Sequence, residues 1–167
     1  RMQPLATEND DHAIVLTGAN TETKIFADHR RIEQVVTNLI SNGIKYSPSG
    51  TPITVELHES SGFPEFVSFS VRSEGEIIPP GQREHIFEKF TRLEHDDRMV
   101  TGTGLGLAIT RAIVDSHGGS IWVEPEGDDT NRFITVLPRS AAASQTTQIF
   151  SQTTLPELLQ NAMPATQ

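Results

Sequence analysis

Gly102-Thr103-Gly104-Leu105-Gly106-Leu107 opens a run with helical apolar spacing. A glycine-rich loop at a helix start offers unpaired backbone N–H groups, and the positive end of the helix dipole, to a phosphate. Glycine is needed there because any side chain would hold the phosphate away from the backbone. Alone the loop is a weak signal, since glycines also mark tight turns; no Walker lysine follows it and no apolar strand leads into it. The formal net charge of −9 means that a phosphate ligand needs local positive charge or a metal ion to be held here. A second polar pattern lies upstream. Gln34, Asn38, Asn42 and Lys45 recur at intervals of four, four and three, which puts them on one helix face. Asparagine is a mediocre helix former, because its amide competes for nearby backbone groups, so two of them one turn apart suggest a task beyond propensity. A solvated polar face is the plainer explanation, and Lys45 alone fits a surface lysine equally well.

The elements that must position these residues follow from periodicity. Ile32, Val35, Val36, Leu39, Ile40 and Ile44 draw an apolar stripe along a helix over residues 28–47. Asp28 suits its N-cap, and Ser47-Pro48-Ser49-Gly50 is turn chemistry that stops it. Short strands are expected at residues 13–16 and 24–27. Residues 51–58 and 66–71 alternate, with Ile53, Val55, Leu57, Val67, Phe69 and Val71 inward, and read as an antiparallel hairpin. Residues 72–81 are irregular. A short helix is predicted over 83–90, with Ile86, Phe87 and Phe90 as anchors, and residues 93–100 are charged and aperiodic. The helix after the glycine loop should bury Leu105, Ala108, Ile109, Ala112 and Ile113, and end at Gly118-Gly119. Strands at 121–123 and 133–137 close the pattern. The expected architecture is an α/β (α+β) two-layer sandwich, a mixed, largely antiparallel sheet covered on one face by about three helices.

The chain of 167 residues is about one domain. Residues 1–11 are expected to be a linker, 12–139 the domain, and 140–167 a low-charge, flexible tail. Thr154-Leu155-Pro156-Glu157 forms a capping-box pattern in that tail, and Leu155, Leu158 and Leu159 suit one short helix. No cysteine is present, which excludes a disulfide framework and thiolate metal sites and is compatible with the cytoplasm. Apolar runs fall far short of the roughly 20 residues that span a bilayer. No N-terminal segment reads as a signal peptide, and the Arg-Met start followed by a strand-like run is expected of a piece of a longer protein. Acidic balance argues against a nucleic-acid partner.

Taken together, the motifs make the chain, over residues 13–138, resemble the ATP-binding catalytic domain of sensor histidine kinases (Bergerat fold), within the group that includes gyrase, Hsp90 and MutL. NLISNGIKYS resembles the asparagine box of that family, EHIFEKFTR its phenylalanine box, and GTGLGLAITRAIVDSHGGSIWVE its second glycine box with the following helix and strand. The resemblance implies ATP and Mg²⁺ as cofactors. It implies that Asn38 ligates Mg²⁺, Asn42 touches the phosphates, Lys45 adds positive charge, and Tyr46 lies near the nucleoside. Gly102, Thr103, Gly104, Leu105, Gly106 and Leu107 would cradle the phosphates, and Arg92 would reach the γ-phosphate. Phe87 and Phe90 would anchor a lid over residues 93–101, although both are more readily read as core.

Several consequences of the resemblance concern chemistry. Relatives that hydrolyse ATP carry a glutamate where Asn38 stands, to activate water; an amide cannot accept that proton, so efficient ATPase activity is not expected. Phosphoryl transfer to a histidine needs positioning and charge neutralisation instead. His12, His29, His58, His85, His95 and His117 all lack the context of a phosphoacceptor, which is expected on a dimerisation domain elsewhere in the protein. A response-regulator receiver domain is the implied downstream partner, with no direct membrane contact by this domain. In the first glycine box, Gly75, Ile78 and Pro79 match. Ser73 replaces the adenine-binding aspartate and Ile77 replaces a glycine. Exchanging a charged acceptor for a neutral one costs about 1–2 kcal/mol, roughly tenfold or more in affinity. Two readings therefore stand, a histidine kinase domain or a degenerate pseudokinase scaffold.

Overall fold

The computed structural model describes residues 5–6, 12–18, 24–59, 65–91, 103–139 and 151–154. Helix α1, His29–Tyr46, begins where Asp28 leaves extended backbone and its carboxylate accepts the Arg31 N–H at 3.2 Å. That bond satisfies one of the orphan donors of the first turn. The helix ends at Ser47, whose N–H donates to the Gly43 carbonyl at 3.0 Å. Ile32, Val35, Val36, Leu39 and Ile40 are buried as the stripe requires, Ile44 is half-buried, and Gly43 joins the buried face.

Among the described residues eight strands accompany it: β1 (Leu5–Ala6), β2 (Ala13–Thr17), β3 (Lys24–Ala27), β4 (Ile53–Glu59), β5 (Phe66–Glu74), β6 (Ser120–Glu126), β7 (Thr130–Pro138) and β8 (Ser151–Thr154). Six form one sheet in the order β1-β2-β4-β5-β7-β6, while β3 and β8 form an antiparallel pair. Only β2 and β4, joined through α1, run parallel; the other ladders of the sheet are antiparallel. Helix α2, Gly106–Ser116, lies beside α1 on the same face of the sheet. Alternate residues of the central strands, Ile53, Val55, Leu57, Val67, Phe69, Val71, Phe133 and Leu137, pack with α1 and α2 into one core. The two-layer, largely antiparallel sandwich expected from the sequence is the fold observed.

Some local expectations are corrected. Residues 83–90 are not a continuous helix; the segment holds two 3₁₀ turns, Pro80–Gln82 and His85–Phe87. Eight residues are too few to sustain an α-helix unaided, and neither turn has a side-chain cap. What fixes the segment is packing: Phe87 is buried in a T-shaped contact with Phe133, ring centroids 6.3 Å apart, and the Arg111 guanidinium lies over the Phe87 ring, 5.1 Å from its centroid. Phe90, by contrast, is 73% exposed with φ +65°, so it is no core anchor. On α2 the buried face is Thr110, Ile113 and Val114, while Ile109 and Ala112 are exposed. The pair Leu5–Ala6, within the segment expected to be linker, adds a short edge strand, and Ser151–Thr154 lies against β3. The remainder of the capping-box pattern, from Leu155 onward, falls outside the described residues. Among the described residues no helix is long and apolar enough to cross a membrane.

Candidate functional site

A cleft of about 360 Å³ lies between the polar face of α1 and the start of α2. Gln34, Asn38, Ser41, Asn42, Lys45 and Tyr46 form one wall, and Thr103, Gly104, Leu105, Gly106 and Leu107 the other, with Ile86 and Thr91 between them. The two stretches singled out in the sequence thus face one space. Arg92 and Gly102 lie outside the described residues. Ser73, Gly75, Ile78 and Phe90 do not line this cleft. A larger groove of about 450 Å³, between Asp28, Arg31 and the exposed side of α2, carries neither the amide face nor a helix start with free donors.

The α2 wall is suited to an anion. Leu105 occupies the N-cap and makes no side-chain cap bond, and the first turn holds no acidic residue. Its N–H groups and the helix dipole are therefore left for a ligand. Gly104 has φ +68°, and a Cβ there would sit 3.0 Å from the Phe90 Cα, so the position demands glycine. Its carbonyl accepts the Phe90 N–H at 2.9 Å. That bond ties the two ends of the segment spanning residues 91–103 together.

The α1 wall supplies one oriented oxygen. The Asn38 amide lies 3.2 Å from the Gly106 carbonyl and 3.3 Å from the Thr110 hydroxyl. A carbonyl only accepts, so the atom facing it is Nδ2, and Oδ1 is the atom left for a cation. Lys45, exposed at the end of α1, adds the positive charge an anion needs in an acidic chain. Among the described residues no three His, Cys, Asp or Glu side chains could together hold a metal. A divalent ion here would draw its remaining oxygens from a ligand's phosphates and water, the usual habit of Mg²⁺. The donor set fits a metal–nucleotide complex rather than a resident metal.

The first-glycine-box segment borders α1 instead of lining the cleft. A Cβ on Gly43 would lie 3.3 Å from the Ser73 Cβ, and one on Gly75 would lie 2.9 Å from the Tyr46 carbonyl oxygen. Both glycines let β5 approach the last turns of α1. Sequence reasoning missed the residue that shapes this segment. Asn131 on β7 donates to the Glu76 carbonyl at 2.8 Å and accepts the Ile78 N–H at 3.0 Å. Asn131 lies before the strand expected at 133–137, so nothing in the sequence marked it; only the structure shows it buried in β7. Thr110 was missed as well, since the expected inner face of α2 was built from apolar residues alone.

Two histidines away from the cleft have pKa values below the ordinary range. Burial lowers His117 most, against the opposing pull of the Ile113 carbonyl and Asp28. Burial lowers His58 most, with Glu56 opposing and Arg132 adding to the shift.

A two-layer sandwich whose cleft joins an amide-bearing helix face to an uncapped, glycine-led helix start is a phosphate-binding domain of the nucleotide type. The profile of the histidine kinase-, DNA gyrase B- and HSP90-like ATPases matches residues 27–141, and the chain belongs to that family. Within it, the chain is 40% identical over 115 residues to the adaptive-response sensory kinase SasA of Microcystis aeruginosa, covering 68% of this chain and 29% of that protein. The chain thus spans less than a third of the length of this curated relative. Among solved structures, the nucleotide-free catalytic domain of histidine kinase ThkA superposes with a TM-score of 0.68 at 30% identity, covering 80% of this chain and 82% of that one. A ThkA structure in complex with response regulator TrrA has a TM-score of 0.63 at 29% identity, covering 78% and 35%. Full-length ShkA in complex with AMPPNP gives 0.64 at 27% identity, covering 79% and 27%. The chain is a histidine kinase-type ATP-binding catalytic domain.

Proposed function

We propose that this domain binds ATP with Mg²⁺ and delivers the γ-phosphoryl group to a histidine on a dimerisation domain of the same protein, on the cytoplasmic side. The observation that carries the reading is the meeting of Asn38, Asn42 and Lys45 with the uncapped start of α2 across one cleft. Mg²⁺, when bound, neutralises phosphate charge. Asn38 supplies an oxygen to it, Asn42 and Lys45 bind phosphate oxygens, and the first-turn N–H groups of α2 orient them. Arg92 is assigned to the γ-phosphate and Tyr46 to the nucleoside end, near Ser73, Gly75 and Ile78. No carboxylate stands at position 38 to take a proton from water, so the cleft favours transfer over hydrolysis. The complexes of ShkA with AMPPNP and of ThkA with a response regulator support ATP as ligand and a receiver domain as downstream partner.

Calorimetric titration of the chain with AMP-PNP and Mg²⁺ tests the binding step. Saturable binding below millimolar concentration is expected, and none at millimolar concentration would sink the reading. Autophosphorylation of the full-length protein on a histidine outside this domain tests the transfer. A second reading, a scaffold without catalysis, is favoured by Ser73 and Ile77 in the first glycine box. The double change Ser73→Asp with Ile77→Gly distinguishes them. About tenfold tighter binding is expected if these positions face the base, and unchanged affinity would place the base elsewhere.

A further inference from the structure

We infer that Thr110 is a positioning residue for the cation site: its hydroxyl holds the Asn38 amide so that Oδ1, and not Nδ2, is presented to a divalent ion. The inference rests on the nucleotide reading above and adds to it a residue outside the glycine loop. Thr110 is fully buried on the inner face of α2, where valine would pack as well and bring no polar atom. Its Oγ1 donates to the Gly106 carbonyl at 2.9 Å, one turn back. That bond alone is common for threonine in helices and satisfies only the hydroxyl's own helix. The second contact is different. With its proton committed to Gly106, Oγ1 has a lone pair for the Asn38 amide at 3.3 Å and shares that donor with the Gly106 carbonyl at 3.2 Å.

The Gly106 carbonyl oxygen and Thr110 Oγ1 lie only 2.9 Å apart, so both sit on one side of Nδ2 and together hold the amide nitrogen of Asn38 against α2. A terminal amide torsion is otherwise broad and nearly two-fold, so an unrestrained asparagine presents nitrogen and oxygen to a ligand with similar ease. A cation accepts only the oxygen. Groups behind a metal ligand commonly fix its orientation, and their loss costs 10–100-fold in metal affinity (on the order of this range). The same contacts join the two walls of the cleft, since Asn38 belongs to α1 while Gly106 and Thr110 belong to α2.

The test compares the wild-type chain with Thr110→Val, which removes the hydroxyl at constant shape, and with Thr110→Ser, which keeps it. AMP-PNP is titrated into each with Mg²⁺ and with EDTA, and the Asn38 side-chain amide is followed by ¹⁵N NMR without nucleotide. In T110V the gain in affinity on adding Mg²⁺ should fall about tenfold. The affinity in EDTA should stay within about twofold, and the Asn38 Nδ2 protons should shift and lose protection; T110S should restore both. Equal Mg²⁺ dependence in wild type and T110V would overturn the positioning role alone. A wild-type chain that takes no nucleotide in either condition would refute the nucleotide reading, and the positioning role with it.

Discussion

At His117 the ring Nδ1 donates to the Ile113 carbonyl at 2.8 Å, and Nε2 accepts the Asp28 N–H at 3.0 Å. One imidazole thus closes the end of α2 and the start of α1 together. Only the neutral ring can do both, because a protonated Nε2 would face the Asp28 N–H with a second donor. Its pKa is lowered by burial, so the unfolded chain binds the proton more tightly than the folded one. The stability this histidine contributes is therefore full above the ordinary histidine value of about 6.5 and is lost as pH falls through the folded pKa below it. His58 is shifted the same way and adds to the trend. Melting temperature should drop between pH 7.5 and pH 5.5; a flat profile would contradict the tautomer. Replacing His117 by alanine removes the partner of the half-buried Asp28 N–H and opens a cavity. A loss of about 2–4 kcal/mol is expected in urea unfolding, with the denaturant slope unchanged.

Among the elements, α1 was readable in full because three signals agreed: an apolar stripe, an aspartate cap and a Ser-Pro stop. The hairpin of β4 and β5 was readable for its alternation, though β5 runs on through Arg72, Ser73 and Glu74 because β7 pairs with it to Glu74. The phase of α2 was not readable. Ile109 and Ala112 look like core, yet Thr110 occupies that face, its hydroxyl satisfied by Gly106 and so able to be buried. The 3₁₀ segment escaped detection since two side chains, Ile86 and Phe87, hold it rather than any helical period. Phe87→Ala should therefore cost about 3–5 kcal/mol, far more than removing the exposed Arg111–Glu84 pair, measured by the same unfolding curves. Gly104→Ala should cost about 1 kcal/mol or more from the left-handed backbone alone. Its added methyl would also press on Phe90, so AMP-PNP affinity should fall as well, and an unperturbed titration would show that the stem tolerates the shift.

For the molecule as a whole, sequence pattern supplied the layers but not the order of the strands. Nothing in residues 5–6 or 151–154 marks them as strands, because pairing of so few residues is decided by the partner edge and not by propensity. The candidate site was legible where chemistry needs an unusual residue, as at Asn38, Asn42 and Gly104. It was not legible where an ordinary residue acts through geometry, as Asn131 and Thr110 do. The pairing of β3 with β8 makes a prediction at this scale. A chain ending after Arg139 should exchange the amides of β3 faster while those of β5 and β7 keep their protection, as read by hydrogen exchange. Uniform loss of protection would mean that the two ladders unfold as one.

The strand order also bears on how the protein is made. Strand β7 stands in the interior of the sheet, between β5 and β6, yet among the described residues it is the last strand of that sheet in the chain. While the ribosome is still adding residues before Thr130, the whole nine-residue edge of β5 has no partner. An open edge of that length invites pairing with other nascent chains, and residues far apart in sequence must meet before it closes. Translation that stalls before Pro138 would thus release fragments primed for self-association.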